Sequence, residues 1–244
     1  GAHRTRLSNV CQINGKTITV SGTRRAVDQA GVADEYAYQL KKRGTEMRRD
    51  VENDLVNTAN VAATGVNIRK MGTLRSWLSA GAATVQRNGV AAVASGAQGE
   101  GSTVPAGSNL EHAGSSVTDV SLSLADIDAV MQSIYEEGGN ASRVMLSPKL
   151  RRDFSDLMVS DTVDVYMSDF GDLMVVPNYI MGLGTLANEA AFIYDPQWWA
   201  IATLRPMQEV EVGQKGDSTV GMFVEECTLE CKNPLGSGAI YGLA

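Results

Sequence analysis

Hydrophobic and polar positions first fall into order at Val10. From there to Gly22, β-branched residues recur with partial alternation, the pattern of a strand. From about Ala26 to Val56 the pattern changes to steps of three and four. Ala33, Ala37, Leu40, Gly44, Met47, Val51 and Leu55 share one face, and the other faces are charged. The spacing predicts a helix of about 30 residues, ~45 Å long at about 1.5 Å per residue. A compact chain of 244 residues has a radius of gyration of about 18 Å, so this helix is expected to span the molecule. Such an element predicts a plate or bracket rather than an enclosed catalytic pocket, and hence a structural, assembling protein. Gly44 interrupts the helix where Ala would be about 1 kcal/mol better, which marks either close packing against another backbone or a bend point. A strand that enters a long helix after so few residues reads as the second half of a larger element, so the chain is expected to begin inside one.

Beyond the helix, Met71 to Leu78 form a short apolar patch. Residues 79–117 are dominated by Gly, Ala, Ser and Thr, too few large side chains to build a core. They are expected to form an extended loop that becomes ordered against neighbouring subunits. Order returns at Val117. Ser123 is placed to cap a helix whose Ile127, Val130, Met131, Ile134 and Tyr135 form an apolar face, ended by Gly138-Gly139. Arg143 to Leu146 reads as a strand, and Ser147-Pro148 as the cap and first turn of a helix reaching about Met158. The runs Val163 to Ser168 and Asp172 to Val176 flank Asp169-Phe170-Gly171, a hairpin signature. Further strands are expected at Ala191 to Tyr194, at Trp199 to Leu204, near Glu209 to Val212 and from Thr219 to Cys231. A Gly-rich tail from Leu235 to Ala239 closes the sequence.

Composition fits this picture: 43% hydrophobic and 20% charged residues are those of a soluble globular protein. No apolar run approaches the roughly 18 residues of a membrane span, and Gly1-Ala2-His3-Arg4-Thr5-Arg6 is not followed by the apolar region of a signal peptide. The formal net charge of -7 argues against tight nucleic-acid binding, which needs a concentrated basic surface. The densest basic clusters, Lys41-Lys42-Arg43 and Arg48-Arg49, alternate with Glu46, Asp50, Glu52 and Asp54, and Lys42/Glu46 and Arg48/Glu52 fall at i,i+4. A solvated or neighbour-facing helix side is therefore expected. Cys11, Cys227 and Cys231 lack paired-ligand spacing and read as small packing residues in a reducing compartment.

Candidate chemistry dissolves on inspection. Asp169-Phe170-Gly171 matches the magnesium-binding tripeptide of protein kinases, but the glycine-rich loop, strand lysine and catalytic loop of a kinase are absent, so hairpin turn chemistry is the reading. Gly182-Leu183-Gly184 lacks the third glycine and setting of a dinucleotide fingerprint. The carboxylate pairs Asp126/Asp128, Asp161/Asp164 and Glu225/Glu226 have no histidine near them in sequence. His3 and His112 sit in weakly patterned stretches and complete no zinc site. Trp198-Trp199, between a turn and an apolar strand, is expected to pack in the core or an interface. Asn140-Ala141-Ser142 is a glycosylation sequon in form only. No catalytic, cofactor-binding or metal-ligating residue is nominated; no cofactor is expected, and the chain reads as a non-enzyme.

Four segments in series resemble the major capsid proteins of tailed bacteriophages with the Hong Kong 97 fold, and among them the SU-ten-like group. Ser21-Gly22-Thr23-Arg24-Arg25-Ala26-Val27-Asp28 running into Glu35 to Asp50 is similar to that group's entry to its spine helix. Val165 to Asn178 is similar to its hairpin, Asp195 to Pro206 to its following strand pair, and Glu226 to Asn233 to its terminal strand. The resemblance covers nearly the whole chain and implies an α+β shell subunit. It implies a long spine helix at about 26–56, a peripheral domain with a long antiparallel sheet, and an axial domain of a sheet flanked by helices. Residues 1–22 would be the returning half of an extended loop, 23–117 and 206–232 the peripheral domain, 118–205 the axial domain and 233–244 a C-terminal tail. The family's N-terminal arm and outgoing half of the extended loop have no counterpart in this sequence. Such subunits form homo-oligomers, hexameric and pentameric capsomers of an icosahedral head. The head encloses double-stranded DNA without sequence-specific binding, alongside other capsid, decoration and portal proteins and without a membrane. The expected location is the virion capsid, assembled in the host bacterial cytoplasm. An acidic chain suits a wall that encloses DNA without gripping it. The alternative is an encapsulating-shell or head-decoration protein that does not enclose a viral genome.

Overall fold

The computed structural model describes residues 9–27, 31–32, 34–56, 63–64, 69–78, 86–87, 90–94, 121–158, 164–184, 190–214, 216–233, 236–241 and 243. Strand β1 (Gln12–Ser21) runs into helix α1 (Gly22–Ala26), capped by the Ser21 hydroxyl, which accepts from the Arg24 N–H. The helix stops at Val27, whose backbone is extended (φ -87, ψ 127). Helix α2 (Glu35–Val56) starts afresh. The expected single helix over 26–56 is therefore two elements, and α2, with 22 residues, is about 33 Å long. Two local features explain the break. Gly31 takes a positive φ of 86°, and Asp34 caps α2, its carboxylate accepting the Tyr36 N–H at 3.0 Å and its carbonyl the Tyr38 N–H. Apolar spacing alone carries no information about either. Once begun, α2 passes through Gly44 unbroken. A Cβ there would lie 3.7 Å from the Phe223 ring, an ordinary contact with a side chain, so close approach of another backbone does not account for this glycine.

Helix α2 lies across β1 and β11 (Ser218–Cys231), members of a three-stranded antiparallel sheet of order β1-β11-β10, where β10 is Trp199–Gln214. β1 pairs with β11 from Gln12 opposite Cys227 to Ser21 opposite Ser218. Residues 12–21 are thus a fully paired strand of the chain's own sheet. The two strands expected at 199–204 and 209–212 are one strand, β10, irregular between Thr203 and Arg205, Arg205 and Gln208, and Glu211 and Gly213. Pro206 produces the sequence interruption. It has no N–H for the ladder, and the chain absorbs it in a bulge at a sheet edge. Tyr36 fastens α2 to this sheet by donating its hydroxyl to Glu209 Oε1 at 2.6 Å while lying against Gly221, where any Cβ would collide with the phenol.

The second sheet has seven strands in the order β4-β5-β12-β9-β6-β8-β7. They are β4 (Gln86–Arg87), β5 (Val90–Ala94), β6 (Arg143–Leu146), β7 (Val165–Ser168), β8 (Gly171–Pro177), β9 (Ala190–Tyr194) and β12 (Gly238–Tyr241). Helices α4 (Leu124–Glu136) and α5 (Pro148–Leu157) cover one face, with α3 (Leu74–Trp77) contributing to the other; a minor ribbon pairs β2 (Ala63–Thr64) with β3 (Arg69–Lys70). Ser123 and Ser147 cap α4 and α5, and Ile127, Val130, Met131 and Ile134 are buried, as the periodicity predicts. The core on this face also takes Val144, Leu146, Leu150, Phe154, Leu173 and Ile193.

One expectation fails here. The Gly-rich tail is not a tail: β12 is inserted between β5 and β9, with Ile240 in one face's core and Ala239 in the other's. Its small residues fit because Trp198 closes to 3.2 Å from a Cβ position on Gly236, and the Trp199 indole N–H donates to Ser237 Oγ at 2.9 Å. The loop expected over 79–117 contains β4 and β5, the latter paired with β12; its remaining residues lie outside those described. The sheet around α4 and α5 therefore draws strands from beyond the expected 118–205.

Gly221→Ala is expected to destabilise the protein by about 1–3 kcal/mol by expelling Tyr36, whereas Gly44→Ala should stabilise it by up to about 1 kcal/mol. Urea denaturation of the two variants checks the contrast. In the same assay Ile240→Ala, at a position with no exposed surface, should lose about 2–5 kcal/mol, a loss no dispensable tail would produce.

Candidate assembly surfaces

The longest strand is also an edge. Among the described residues β10 has β11 on one side and no strand on the other. Along it Ile201 is 54%, Leu204 65% and Val212 59% exposed, with Val210 also in solvent. A long edge with open backbone groups and apolar side chains is a template for another chain, and proteins that remain monomers suppress such edges. The irregular stretch of β10 is held in place by a charge cluster. Glu226 on β11 is buried and receives Arg205 Nε at 2.9 Å and Arg69 Nη1 at 3.4 Å, each arginine about half exposed. Removing one arginine would leave a desolvated carboxylate short of a partner, so the geometry of the edge is fixed from beneath.

The β7–β8 hairpin forms the rim of the seven-stranded sheet. Tyr166, Leu173 and Val175 point into the core, while Val165, Met167 and Met174 point out, with Val165 opposite Met174 in register. Met167 is 71% exposed. The rim is pinned by Asp128 on α4, whose Oδ1 accepts from the Tyr166 hydroxyl at 2.9 Å and from the Ser168 hydroxyl at 2.8 Å. Burial, followed by the Asp128 carboxylate, pushes the Tyr166 phenol up to about 12. Asp169 and Phe170 form the hairpin turn, Gly171 takes a positive φ, and Phe170 rests on Tyr135. The kinase-like tripeptide is turn chemistry, as expected.

The other sequence candidates are dispersed into structural roles. Asp126 accepts from the Ser123 hydroxyl, Asp128 serves the hairpin, Asp164 pairs with Arg151 at 3.1 Å, and Glu226 sits in its arginine cluster. Asp161, His3 and His112 lie outside the described residues. Trp199 stacks edge-on to Trp77 at 6.5 Å, the core packing expected for the tryptophan pair. Cys227 is buried, and burial pushes its thiol up to about 11 and that of Cys231 up to about 12. Both are therefore protonated, unreactive packing groups at neutral pH. Among the described residues no three His, Cys, Asp or Glu side chains converge on a metal position, and no helix is long and apolar enough to cross a membrane.

A sheet-and-spine-helix lobe merged with a helix-flanked sheet defines a class: shell-forming subunits of the Hong Kong 97 fold. The structure is similar to the cyanophage A-1(L) capsid asymmetric unit (TM-score 0.62, 12% identity, 95% of this chain and 77% of that one). It is similar to the capsid of Myoviridae phage XM1 (0.58, 11%, 96% and 74%) and to the holo-SrpI encapsulin complex of Synechococcus elongatus PCC 7942 (0.60, 10%, 96% and 74%). At such identities the likeness shows the fold. The model of the SU10 major capsid protein family matches residues 1–244, and the chain belongs to that family, as a major capsid protein of a tailed bacteriophage located in the virion shell. The major capsid protein of Escherichia phage Phieco32 is 24% identical to it over 274 residues, 97% of this chain and 76% of that one.

The phenol on the rim gives a pH test. Tyr166 holds its proton more tightly folded than unfolded, so its contribution is complete below about pH 10 and is lost as pH rises toward the folded value of about 12. Tyr166→Phe should lose about 1 kcal/mol at neutral pH. Measured by denaturant midpoint, its deficit relative to wild type should shrink between pH 10 and pH 12.

Proposed function

We propose that copies of this chain associate through the β10 edge and the outer face of the β7–β8 hairpin into hexameric and pentameric capsomers. These close into an icosahedral head around double-stranded DNA, assembled in the cytoplasm of the host bacterium. The three-stranded sheet with α2 is the peripheral domain, and the seven-stranded sheet with α4 and α5 is the axial domain, which surrounds the capsomer axis. The chain is a structural protein without enzymatic activity, and decoration and portal proteins are its further partners. The observation that carries this reading is the apolar edge of β10, unpaired among the described residues, on a subunit of this fold and family. An encapsulating shell around non-viral cargo shares the fold, and the family favours the phage head.

Electron microscopy and native mass measurement of the full-length protein test it. Wild type should form closed shells, and the doubles Ile201→Asp/Leu204→Asp and Val165→Asp/Met167→Asp should stay folded but stop at small species. Normal shells from both doubles, or a strictly monomeric wild type under all assembly conditions, would contradict the assignment.

A further inference from the structure

Charges on α2 are sorted by side. Glu46 and Asp50 face β1, where Lys16 reaches them at 3.9 and 2.6 Å, and Arg43 pairs with Glu46 at 2.6 Å. Asp54 accepts from Gln12, and Glu52 from Asn178. The acids that alternate with the basic clusters in sequence are therefore engaged on the flanks. Lys41, Lys42, Arg48 and Arg49 are left on the outward stripe, all exposed. None of the four makes an ion pair among the described residues; Lys42 exerts only a longer-range pull on Glu46, the last of that carboxyl's influences. The i,i+4 pairs expected from sequence, Lys42/Glu46 and Arg48/Glu52, do not form.

The stripe has a definite form. Lys41-Lys42 and Arg48-Arg49 are seven residues apart, two turns along one face and about 10 Å in rise. Between them the outward positions carry Thr45 and no apolar anchor. A stable protein contact needs a desolvated apolar or aromatic centre; on α2 the exposed Tyr38, one turn before Lys42, is a lone aromatic, and the other large exposed apolar side chains lie off this helix. A phosphate backbone needs only the cations.

We propose that the outward stripe of α2, formed by Lys41, Lys42, Arg48 and Arg49, contacts the phosphate backbone of double-stranded DNA without reading its sequence. This rests on the proposal that the shell encloses DNA, and it gives a place to the contact in a wall expected to enclose DNA without gripping it. With four cations on a chain of net charge -7, the contact is local, weak and labile to salt.

The test uses soluble full-length capsomers and random-sequence duplex DNA, read by fluorescence anisotropy at several salt concentrations, beside the variant Lys41→Gln/Lys42→Gln/Arg48→Gln/Arg49→Gln. Four phosphate contacts give a log–log salt slope of about -3.6, so wild-type affinity should fall about 150-fold between about 50 and 200 mM salt. The variant should assemble normally, bind more weakly and lose most of that slope. Equal affinity and slope in both proteins would overturn the proposal. So would a variant that fails to assemble while wild-type capsomers ignore DNA, which would make the stripe a contact between copies. A wild type that binds DNA through the stripe but builds no shell would instead overturn the assembly reading.

Discussion

Both sheets share one apolar cluster, and the two lobes exist as a single body because of it. Val56 at the end of α2, Leu74, Trp77 and Leu78 around α3, and Leu229 from β11 meet Ala190, Phe192 and Ala239 from the seven-stranded sheet. Trp199, where β10 begins, stacks edge-on to Trp77 and donates to Ser237 beside β12. Burying such side chains yields roughly 1.5–3 kcal/mol each. The cluster therefore ties the long sheet to the helix-flanked one. A shell transmits load between neighbours, so a subunit needs this kind of joint before its outer surfaces are useful.

With the joint made inside, the outside is divided by chemistry. Apolar groups appear on β10 and on the outer face of the hairpin, both rims of sheets, while a polar anchor, buried for β10 and half-buried for the hairpin, holds each rim from behind. Glu226 with its two arginines fixes the irregular part of β10, and Asp128 fixes Tyr166 and Ser168. On α2 the acids Glu46, Asp50, Glu52 and Asp54 each have a partner, while Lys41, Lys42, Arg48 and Arg49 face solvent. Rigid placement lowers the ordering entropy of association, so a modest apolar rim is enough to bind.

The sequence pattern was informative where the signal is local. Ser123 and Ser147 as caps, the α4 apolar face and the hairpin around Asp169-Phe170 all follow from neighbours three or four residues away. It misled where a feature depends on distant chain. Gly238-Ala239 reads as part of a tail because small residues are indistinguishable from loop residues until Ala190 and Phe192 pack against Ala239. Pro206 reads as a strand end because the edge position that tolerates it is set by β11. The apolar period runs on through 26–56, while the positive φ at Gly31 and the Asp34 cap divide the segment in two. Surfaces were least legible: composition cannot say that Glu46 and Asp50 turn toward Lys16 and leave four basic side chains facing out.

The central claim is that the free edge of β10 is a contact surface between subunits. Amide hydrogen exchange across residues 201–212 reads it directly in dissociated subunits and in assembled particles. Those outer-edge amides should exchange rapidly in free subunits and become strongly protected on assembly, while those of β11, paired on both sides, change little. Equal exchange of the β10 edge in both states would contradict the account.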